Sequence, residues 1–225
     1  QGYDVFLSDF SLIKDKYINR LNDFRIEFEQ QQHSLDKILN ADLVIKSPGI
    51  NPNIDIVKQI ENEKIQIVDE IEFAYQFCDS KIIAITGSNG KTTTASLTYH
   101  ILNKAGINVG LAGNIGQSFA FQLATQSYDY YVLEISSFQL DYCFSFKPDI
   151  SVLLNITPDH LDRYENSFEK YSQSKFRIIQ KQAEEDSFIY CADDKVIANF
   201  VEKNTIRPNK YSFSLRDDEH FTARI

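Results

Sequence analysis

The chain has 225 residues, enough for one or two domains with a sizeable hydrophobic core. Its 23 lysines and arginines are outnumbered by 32 acidic residues, and the net charge of −9 argues against a large nucleic-acid-binding surface but not against a local pocket for an anionic nucleotide. The three cysteines are far apart and form neither a metal-binding spacing nor a disulfide framework, which indicates a reducing, cytoplasmic setting.

The first 80 residues alternate predicted strands with helical stretches. Strands are expected at 3–9, 41–50 and 65–69, with helices between them. This alternation predicts a parallel sheet of Rossmann type, so we assign 1–80 to one such domain. Asp9 and the turn Ser47-Pro48-Gly49 follow two of the strands, where such sheets bind ligands. The alternative, which the residues alone favour, is that Asp9 caps a loop and 47–49 is a plain turn.

The segment 82–94 (IIAITGSNGKTTT) is typical of a phosphate-binding loop. A β-branched strand enters a glycine turn, and Lys91 and threonines follow at the start of a helix. Backbone N–H groups and the helix N-terminus would bind phosphates, Lys91 would reach the β- and γ-phosphates, and Thr92 would bind Mg²⁺. The usual first glycine would fall at Ile85, so the loop is a shortened form; the alternative is an ordinary turn with a surface lysine. The predicted ATP-binding residues are Gly87, Ser88, Asn89, Gly90, Lys91, Thr92, Thr93 and Thr94.

Further strands and a helix are expected after this loop, in the segment 81–225 that we assign to a second, ATP-binding domain. A helix over 94–105 ends at Gly106, and a short strand leads into the glycine-rich loop 113–116. Strands follow at 130–137, 150–156 and 188–191. The whole chain is therefore expected to be α/β, and because it begins at Gln1 and contains no Met, we expect a piece of a longer protein.

Polar residues follow several of these strands and are candidates for a site. Glu134 comes after an apolar run, where a carboxylate can bind Mg²⁺; the alternative is a capping or paired acid. His160 follows the strand at 150–156 and is either a metal ligand, an acid or base, or a structural histidine. Asn114 lies between glycines and is either a ligand-binding residue or a turn residue.

Lys175 lies on the apolar stripe of a predicted helix over 167–182. Phe168, Tyr171 and Ile178 recur on the same stripe at core-facing spacing. A lysine in such a place either extends its ammonium group to solvent or has a chemical role. If it is removed from water, its pKa falls and its amine becomes reactive.

Five segments together resemble the Mur ligases of peptidoglycan synthesis, in order and spacing as well as in sequence. They are 86–92 (TGSNGKT), 113–116 (GNIG), 133–140 (LEISSFQL), 159–164 (DHLDRY) and 174–175 (SK). Within the family, 134–140 and 47–50 are similar to the branch that joins D-glutamate to UDP-N-acetylmuramoyl-L-alanine. The resemblance implies a bacterial, cytoplasmic, ATP-dependent ligase for cell-wall synthesis, without a membrane span and monomeric.

The resemblance also implies roles for individual residues. ATP would phosphorylate the alanyl carboxylate, and the amine of D-glutamate would attack the resulting acyl phosphate. Thr92 and Glu134 would hold one Mg²⁺, and His160 and a carbamylated Lys175 a second. The implied catalytic residues are Lys91, Asn114, Glu134, His160 and Lys175. The implied substrate-binding residues are Asp9, Ser47, Gly49, Asn114, Ser136 and Gln139.

The chain departs from the family pattern in several ways. We expect that a strand and glycine turn that normally precede the strand ending at Asp9 lie outside it, that the C-terminal Rossmann-like domain that binds D-glutamate does too, and that the central domain is incomplete near Ile225. Three other functions remain as alternatives: a regulatory nucleotide switch, a dinucleotide-binding Rossmann module and a folylpolyglutamate synthase. The first leaves Lys175 unexplained, the second lacks a Gly-x-Gly-x-x-Gly motif, and the third does not fit the sequence after Glu134.

Overall fold

A computed structural model describes residues 2–215 and 223–224 of the chain. Helices and strands alternate along it, which confirms the predicted α/β class. Contacts divide the chain into two compact units, the first formed by Gln1–Ile45 and Ile50–Ile67 and the second by Lys46–Gly49 and Val68–Ile225.

Two short two-stranded sheets, a parallel pair β1–β2 and a pair β3–β4, characterise the first unit, and the last residue of β4 belongs to the second unit. The elements are β1 (Phe6–Asp9), α1 (Asp15–Asp23), β2 (Glu27–Gln30), α2 (Leu35–Ile38), β3 (Leu43–Ile45), α3 (Asp55–Asn62) and β4 (Gln66–Val68). Strand β2 was not predicted, because its sequence Glu-Phe-Glu-Gln lacks the β-branched residues that mark a strand. It forms because its backbone pairs with β1 and because the buried Glu29 accepts hydrogen bonds from the hydroxyls of Ser8 and Ser34.

A single parallel sheet dominates the second unit, in the order β11-β10-β9-β8-β5-β7-β6 over the described residues. Its elements are α4 (Glu70–Tyr75), β5 (Lys81–Thr86), α5 (Lys91–Lys104), β6 (Val109–Gly113), α6 (Phe119–Thr125), β7 (Tyr130–Glu134), α7 (Ser137–Leu140), β8 (Ile150–Leu153), a 3₁₀ turn (Leu161–Tyr164), α8 (Phe168–Phe176), a second 3₁₀ turn (Arg177–Ile179), β9 (Ser187–Cys191), α9 (Lys195–Lys203), β10 (Asn209–Ser214) and β11 (Ala223–Arg224).

Strand β5 lies inside this sheet and is buried on both faces. Ala84 packs into an apolar cluster with Leu133 and Ile178, whereas Ile85 packs into another with Ala95 of α5. A strand covered on both sides needs apolar residues at successive positions, which accounts for the continuous run in the sequence. The carboxyl ends of β5, β7 and β8 therefore lie side by side at one edge of the sheet.

The second compact unit includes the chain from Val68 onwards, and therefore α4. The buried carboxylate of Glu72 accepts the backbone N–H groups of Phe144, Ser145 and Phe146. The N–H of Asp69 donates to the carbonyl of Tyr142 at 3.1 Å. These contacts join positions more than 70 residues apart, and local sequence patterns do not reveal them. The assignment of 1–80 and 81–225 to separate domains stays a prediction.

Two predicted helices have different bounds in the structure. Helix α5 begins at Lys91, directly after the glycine turn, rather than at Thr94. The helix expected over 167–182 is α-helical only from Phe168 to Phe176, and a 3₁₀ turn continues it.

In the part of the chain that the structure describes, no helix combines the length and apolar character needed to cross a bilayer.

Candidate active site

A cleft of about 280 Å³ opens in the second unit at the carboxyl ends of β5, β7 and β8. Parallel sheets bind ligands at this edge, and here the loops after three adjacent strands meet. Aromatic side chains from Phe138 and Tyr171 form part of its wall. Six of the residues predicted from the sequence line it: Gly49, Lys91, Asn114, Ser136, His160 and Lys175.

The glycine turn between β5 and α5 has the backbone that a phosphate loop needs. Gly90 is the N-cap of α5 and has a left-handed conformation, with φ of +82°, which glycine adopts without strain. A Cβ on Gly87 would lie 3.0 Å from Cβ of Leu154, so a side chain there would require Leu154 to shift. The first N–H groups of α5 have no partner within the helix, and the helix N-terminus favours an anion.

Two lysine side chains converge on this turn. Lys91 Nζ donates to the carbonyl oxygens of Gly87 and Ser88, each at 3.0 Å. Lys175 Nζ donates to the same oxygen of Gly87 at 2.8 Å, although it comes from α8, 88 positions further along the chain. The turn therefore carries two amino groups where a polyphosphate would be attracted.

Lys175 is 2% exposed, so it does not extend its ammonium group to solvent. Burial first, and then the positive charge of Lys91, lower the pKa of Lys175 from 10.5 to about 7, while the carboxylates of Asp159 and Asp141 act in the opposite direction. Near pH 7, Lys175 is therefore a neutral amine in a large fraction of the protein molecules. A neutral amine is a nucleophile, whereas an ammonium group is not.

Glu134 has an unsatisfied carboxylate oxygen at the end of β7. Its Oε1 accepts a hydrogen bond from Nδ2 of Asn114 at 2.8 Å, but Oε2 is buried and has no hydrogen-bond partner among the described residues. The approach of the two residues requires Gly113, because a Cβ there would lie 2.2 Å from the carbonyl oxygen of Glu134. A buried carboxylate oxygen without a partner is costly and suits a hard cation such as Mg²⁺.

The donor set by itself does not amount to a complete metal cage. In the described ranges, no three His, Cys, Asp or Glu side chains are grouped so that they could hold an ion. Mg²⁺ is commonly bound by one or two carboxylates together with substrate phosphates and water. The unsatisfied carboxylate oxygen of Glu134 therefore fits a magnesium ion that arrives with a nucleotide.

His160 lies at the rim of the cleft. Its backbone is left-handed, with φ of +49°, a conformation that is uncommon for residues other than glycine. The side chain is 57% exposed, its Nε2 lies 3.5 Å from a carboxylate oxygen of Asp159, and its ring centroid is 5.2 Å from that of Phe138. The imidazole is accessible to a ligand in the cleft.

Some predicted substrate-binding residues have partners within the protein. Ser136 and Gln139 form a reciprocal capping box at the start of α7, and Oε1 of Gln139 accepts the N–H of Ser136 at 3.0 Å. Gln139 is buried, and Ser47 is exposed but is not among the residues that line the cleft. Asp9 belongs to the first unit, where its carboxylate accepts the N–H of Ser11 at 2.8 Å. The predicted substrate contacts of these residues stay predictions.

Tyr171 and Asn155 also contact the phosphate loop, although the sequence pattern indicates no role in the site for either. The Tyr171 hydroxyl lies 2.9 Å from Oγ of Ser88, and its ring centroid is 4.8 Å from Nζ of Lys175. Tyr171 lies one helical turn before Lys175, a spacing that could have indicated contact. Asn155 follows β8 and bonds to the backbone of the phosphate loop, and its place after a buried strand was the available signal.

Two family models match the sequence. Residues 85–225 match the Mur ligase middle domain, and residues 1–56 match the MurD N-terminal domain. The first match covers more than half of the chain.

Curated relatives match the chain over nearly its whole length. The UDP-N-acetylmuramoylalanine--D-glutamate ligase of Bacteroides fragilis is 51% identical over 225 residues, which is 100% of this chain and 51% of that protein. The Christiangramia forsetii protein of the same name is 52% identical over 214 residues, 95% of this chain and 48% of the relative. The Salinibacter ruber protein of the same name is 43% identical over 208 residues, which is 90% of this chain and 45% of the relative. The chain spans about half the length of these relatives.

Solved structures match the fold. The UDP-N-acetylmuramate:L-alanyl-gamma-D-glutamyl-meso-diaminopimelate ligase from Neisseria meningitides aligns with a TM-score of 0.64 and 18% identity, over 94% of this chain and 70% of that one. The UDP-N-acetylmuramate-alanine ligase MurC from Thermotoga maritima aligns with a TM-score of 0.55 and 19% identity, over 96% of this chain and 48% of that one. At these identities the comparison supports the architecture and not the substrate.

Proposed function

The chain belongs to the Mur ligase family, and we propose that it carries the ATP-binding part of a ligase that joins D-glutamate to UDP-N-acetylmuramoyl-L-alanine in peptidoglycan precursor synthesis. The observation that carries the proposal is the meeting of Lys91 and the buried Lys175 at the carbonyl of Gly87, inside a phosphate loop. The choice of substrates follows the names of the relatives at about 50% identity.

A nucleotide switch or a passive binding module would not need this arrangement. Such proteins use the phosphate loop and its lysine, but a second lysine with a pKa of about 7 is an added chemical group. The pairing of Asn114 with Glu134 places a further carboxylate at the same edge of the sheet. Lowered lysine pKa values and buried carboxylates are typical of sites that carry out a reaction.

We infer that ATP binds with its phosphates at the N-terminus of α5. Within the predicted ATP-binding segment 87–94, the open backbone N–H groups at the start of α5 would bind the phosphates, and Lys91 would supply a positive charge. Lys91 Nζ would leave the carbonyls of Gly87 and Ser88 and move to the phosphates. This movement exchanges two neutral acceptors for a charged one, which forms the stronger bond.

Magnesium, when bound, would offset the negative charge of the phosphates. Thr92 and Glu134 are the residues that we propose for one ion, because Oε2 of Glu134 lacks another partner among the described residues. His160 and Lys175 are proposed for a second. For Lys175 the proposal includes carbamylation: the neutral amine attacks CO₂, an N–C bond forms, and a proton leaves, so that a carbamate anion replaces the amine.

The reaction that we propose has two displacements. An oxygen of the alanyl carboxylate attacks the γ-phosphorus of ATP, and ADP leaves. The amine of D-glutamate then attacks the acyl carbon, loses a proton, and displaces phosphate. Lys91 would stabilise the charge that develops on the transferred phosphoryl group in the first step.

Several residues are proposed to contact the UDP-muramoyl substrate. Asn114 and Ser136 line the cleft and would contact the muramoyl-alanine end, together with Gln139. Gly49 also lines the cleft, and its carbonyl accepts a hydrogen bond from Arg163 at 2.6 Å. With Ser47 and Asp9 it is proposed to contact the uridine end. The resemblance to the family carries these roles.

The proposal is tested with the full-length protein and a phosphate-release assay. ATP and UDP-N-acetylmuramoyl-L-alanine are supplied with a panel of amino acids, and release should depend on D-glutamate. Lys175→Ala should lose most activity and regain part of it with acetate or formate, which fill the vacated space with a carboxylate. Lys175→Arg should not be rescued, because its side chain keeps a fixed positive charge in that space.

The exposed Lys181, near the end of the same helical segment, is the matched control, and Lys181→Ala should retain activity. Phosphate release that depends on another amino acid would refute the proposed substrate. Full activity of Lys175→Ala without added carboxylate would refute the chemical role of Lys175.

A further inference from the structure

Asn155 binds the phosphate loop through three hydrogen bonds. Its side-chain Oδ1 accepts the N–H of Asn89 at 2.9 Å, and its Nδ2 donates to the carbonyl of Asn89 at 3.1 Å. Its own carbonyl accepts the N–H of Ser88 at 2.9 Å. The carboxamide thus pairs with both backbone polar groups of Asn89, as a neighbouring strand would.

This pairing determines which N–H groups of the loop face a phosphate. The N–H groups of Ser88 and Asn89 are directed towards Asn155, on the side of β8. The donors that remain for an anion are those of Gly90 and of the first residues of α5, which have no partner within the helix. The contact with Asn155 therefore turns the shortened loop so that the start of α5 is open.

Few other side chains could make this contact. The carboxamide offers a donor and an acceptor on one short planar group, whereas a hydroxyl is a single atom and a carboxylate only accepts when it is ionised. The position is also fixed from the other side, because the N–H of Ile156 donates to Oδ2 of Asp194 at 2.7 Å, and Asp194 caps α9. Asn155 is therefore held between the sheet and a helix N-terminus.

We propose that Asn155 is a positioning residue that sets the conformation of the phosphate loop before ATP binds. The inference rests on the proposed function, in that the loop is taken to bind the phosphates of ATP. It extends that function to a side chain that touches neither the nucleotide nor the reacting atoms. Loss of the carboxamide should weaken the binding of the terminal phosphates and leave other contacts of the nucleotide unchanged.

The test measures the affinities of full-length protein for ADP and for AMP by calorimetry. ADP extends a phosphate further into the loop than AMP, so their affinity ratio reports on the loop and not on general stability. Removing two hydrogen bonds in Asn155→Ala should lower the ADP-to-AMP affinity ratio about tenfold. Asn108→Ala is the control, because its carboxamide donates to the carbonyl of Ser127 at 3.2 Å, away from the cleft, and it should keep the wild-type ratio.

Asn155→Leu is the second variant, because leucine has the same branching as asparagine without its polar atoms. It keeps the test open if the alanine variant does not fold, and its expected ratio is also about tenfold below wild type. Hydrogen exchange in the nucleotide-free protein gives an independent measurement. The amide of Asn89 should exchange faster in either variant than in wild type.

The outcomes separate this inference from the proposed function. If the wild-type protein does not bind ADP, the proposed function fails. If the wild type binds ADP and both Asn155 variants keep its ADP-to-AMP ratio and its exchange rate at Asn89, the positioning role is wrong. An equal loss of ADP and AMP affinity would likewise contradict it, because that result indicates general disruption of the fold.

Discussion

Replacement of Lys175 by methionine should make the protein more stable and less active. The lysine is 2% exposed, and burial and the charge of Lys91 lower its pKa from 10.5 to about 7. Below pH 7 the folded protein must hold a buried ammonium group at this position. Methionine fills a similar volume without a charge, so it removes the desolvation cost but also removes the reactive amine.

The size of the effect follows from the two pKa values. They correspond to a cost of about 5 kcal/mol for the charged lysine, which is an upper bound. The hydrogen bond to Gly87 and the contact with the ring of Tyr171 offset part of this cost. We therefore expect the free energy of unfolding of Lys175→Met to exceed that of the wild type by about 3 kcal/mol at about pH 6. Between pH 7 and 10.5 the unfolded chain binds more protons at this position than the folded protein, so wild-type stability rises with pH. The stability advantage of Lys175→Met should therefore fall by about 3 kcal/mol between about pH 6 and about pH 9, and so vanish near pH 9.

Urea denaturation of the full-length protein at these two pH values measures the effect. The buffer is depleted of CO₂ and contains no nucleotide, so that Lys175 stays unmodified. Other titrating groups are common to both proteins and cancel in the difference, and Lys181→Met at an exposed position is the control. A stability difference that does not change with pH, or a methionine variant that is less stable at both pH values, would refute the reasoning.

Three further substitutions have defined outcomes. Lys91→Ala should lower phosphate release by full-length protein about 1,000-fold without changing its thermal unfolding, and near-normal release would contradict its role at the phosphates. Glu72→Ala leaves the buried N–H groups that its carboxylate accepts without a partner and should cost about 3–5 kcal/mol in urea denaturation; a loss below about 1 kcal/mol would show that water replaces the carboxylate. Gly113→Ala places a Cβ 2.2 Å from the carbonyl oxygen of Glu134 at a φ of +96° and should destabilise by at least about 2 kcal/mol, whereas an unchanged melting temperature would show that the loop can move aside.

The phosphate loop could be predicted from sequence because all of its parts are contiguous. Strand β5, the glycine turn and α5 follow one another within 81–104, and each obeys a local rule: an apolar strand, glycines where the backbone turns, and a helix N-terminus. The α/β class followed from the alternation of such elements. The predicted start of the helix was wrong, since α5 begins at Lys91 and not at Thr94.

The remainder of the site depends on contacts between distant positions. The bond from Lys175 to Gly87 spans 88 residues, and the bonds between Asn155 and Asn89 span 66. Periodicity placed Lys175 on an apolar stripe but did not show whether its amino group reaches solvent or the loop. The pairing of β2 with β1 was missed for a similar reason, since tertiary pairing overrides the weak strand propensity of its polar residues.

The shortening of the loop and the presence of groups from outside it belong to one arrangement. Ile85 replaces the usual first glycine and is fully buried in the core, so the backbone before Gly87 is part of the sheet and cannot wrap a phosphate. A shorter loop has fewer N–H groups to offer and fewer internal bonds to hold its shape. Asn155, in the loop that follows β8, supplies the missing bonds, and Lys175 supplies a second amino group from α8. A site built in this way depends on the relative positions of three elements of the second unit, so substitutions that shift β8 or α8 should affect the phosphate loop even where they leave its own sequence intact.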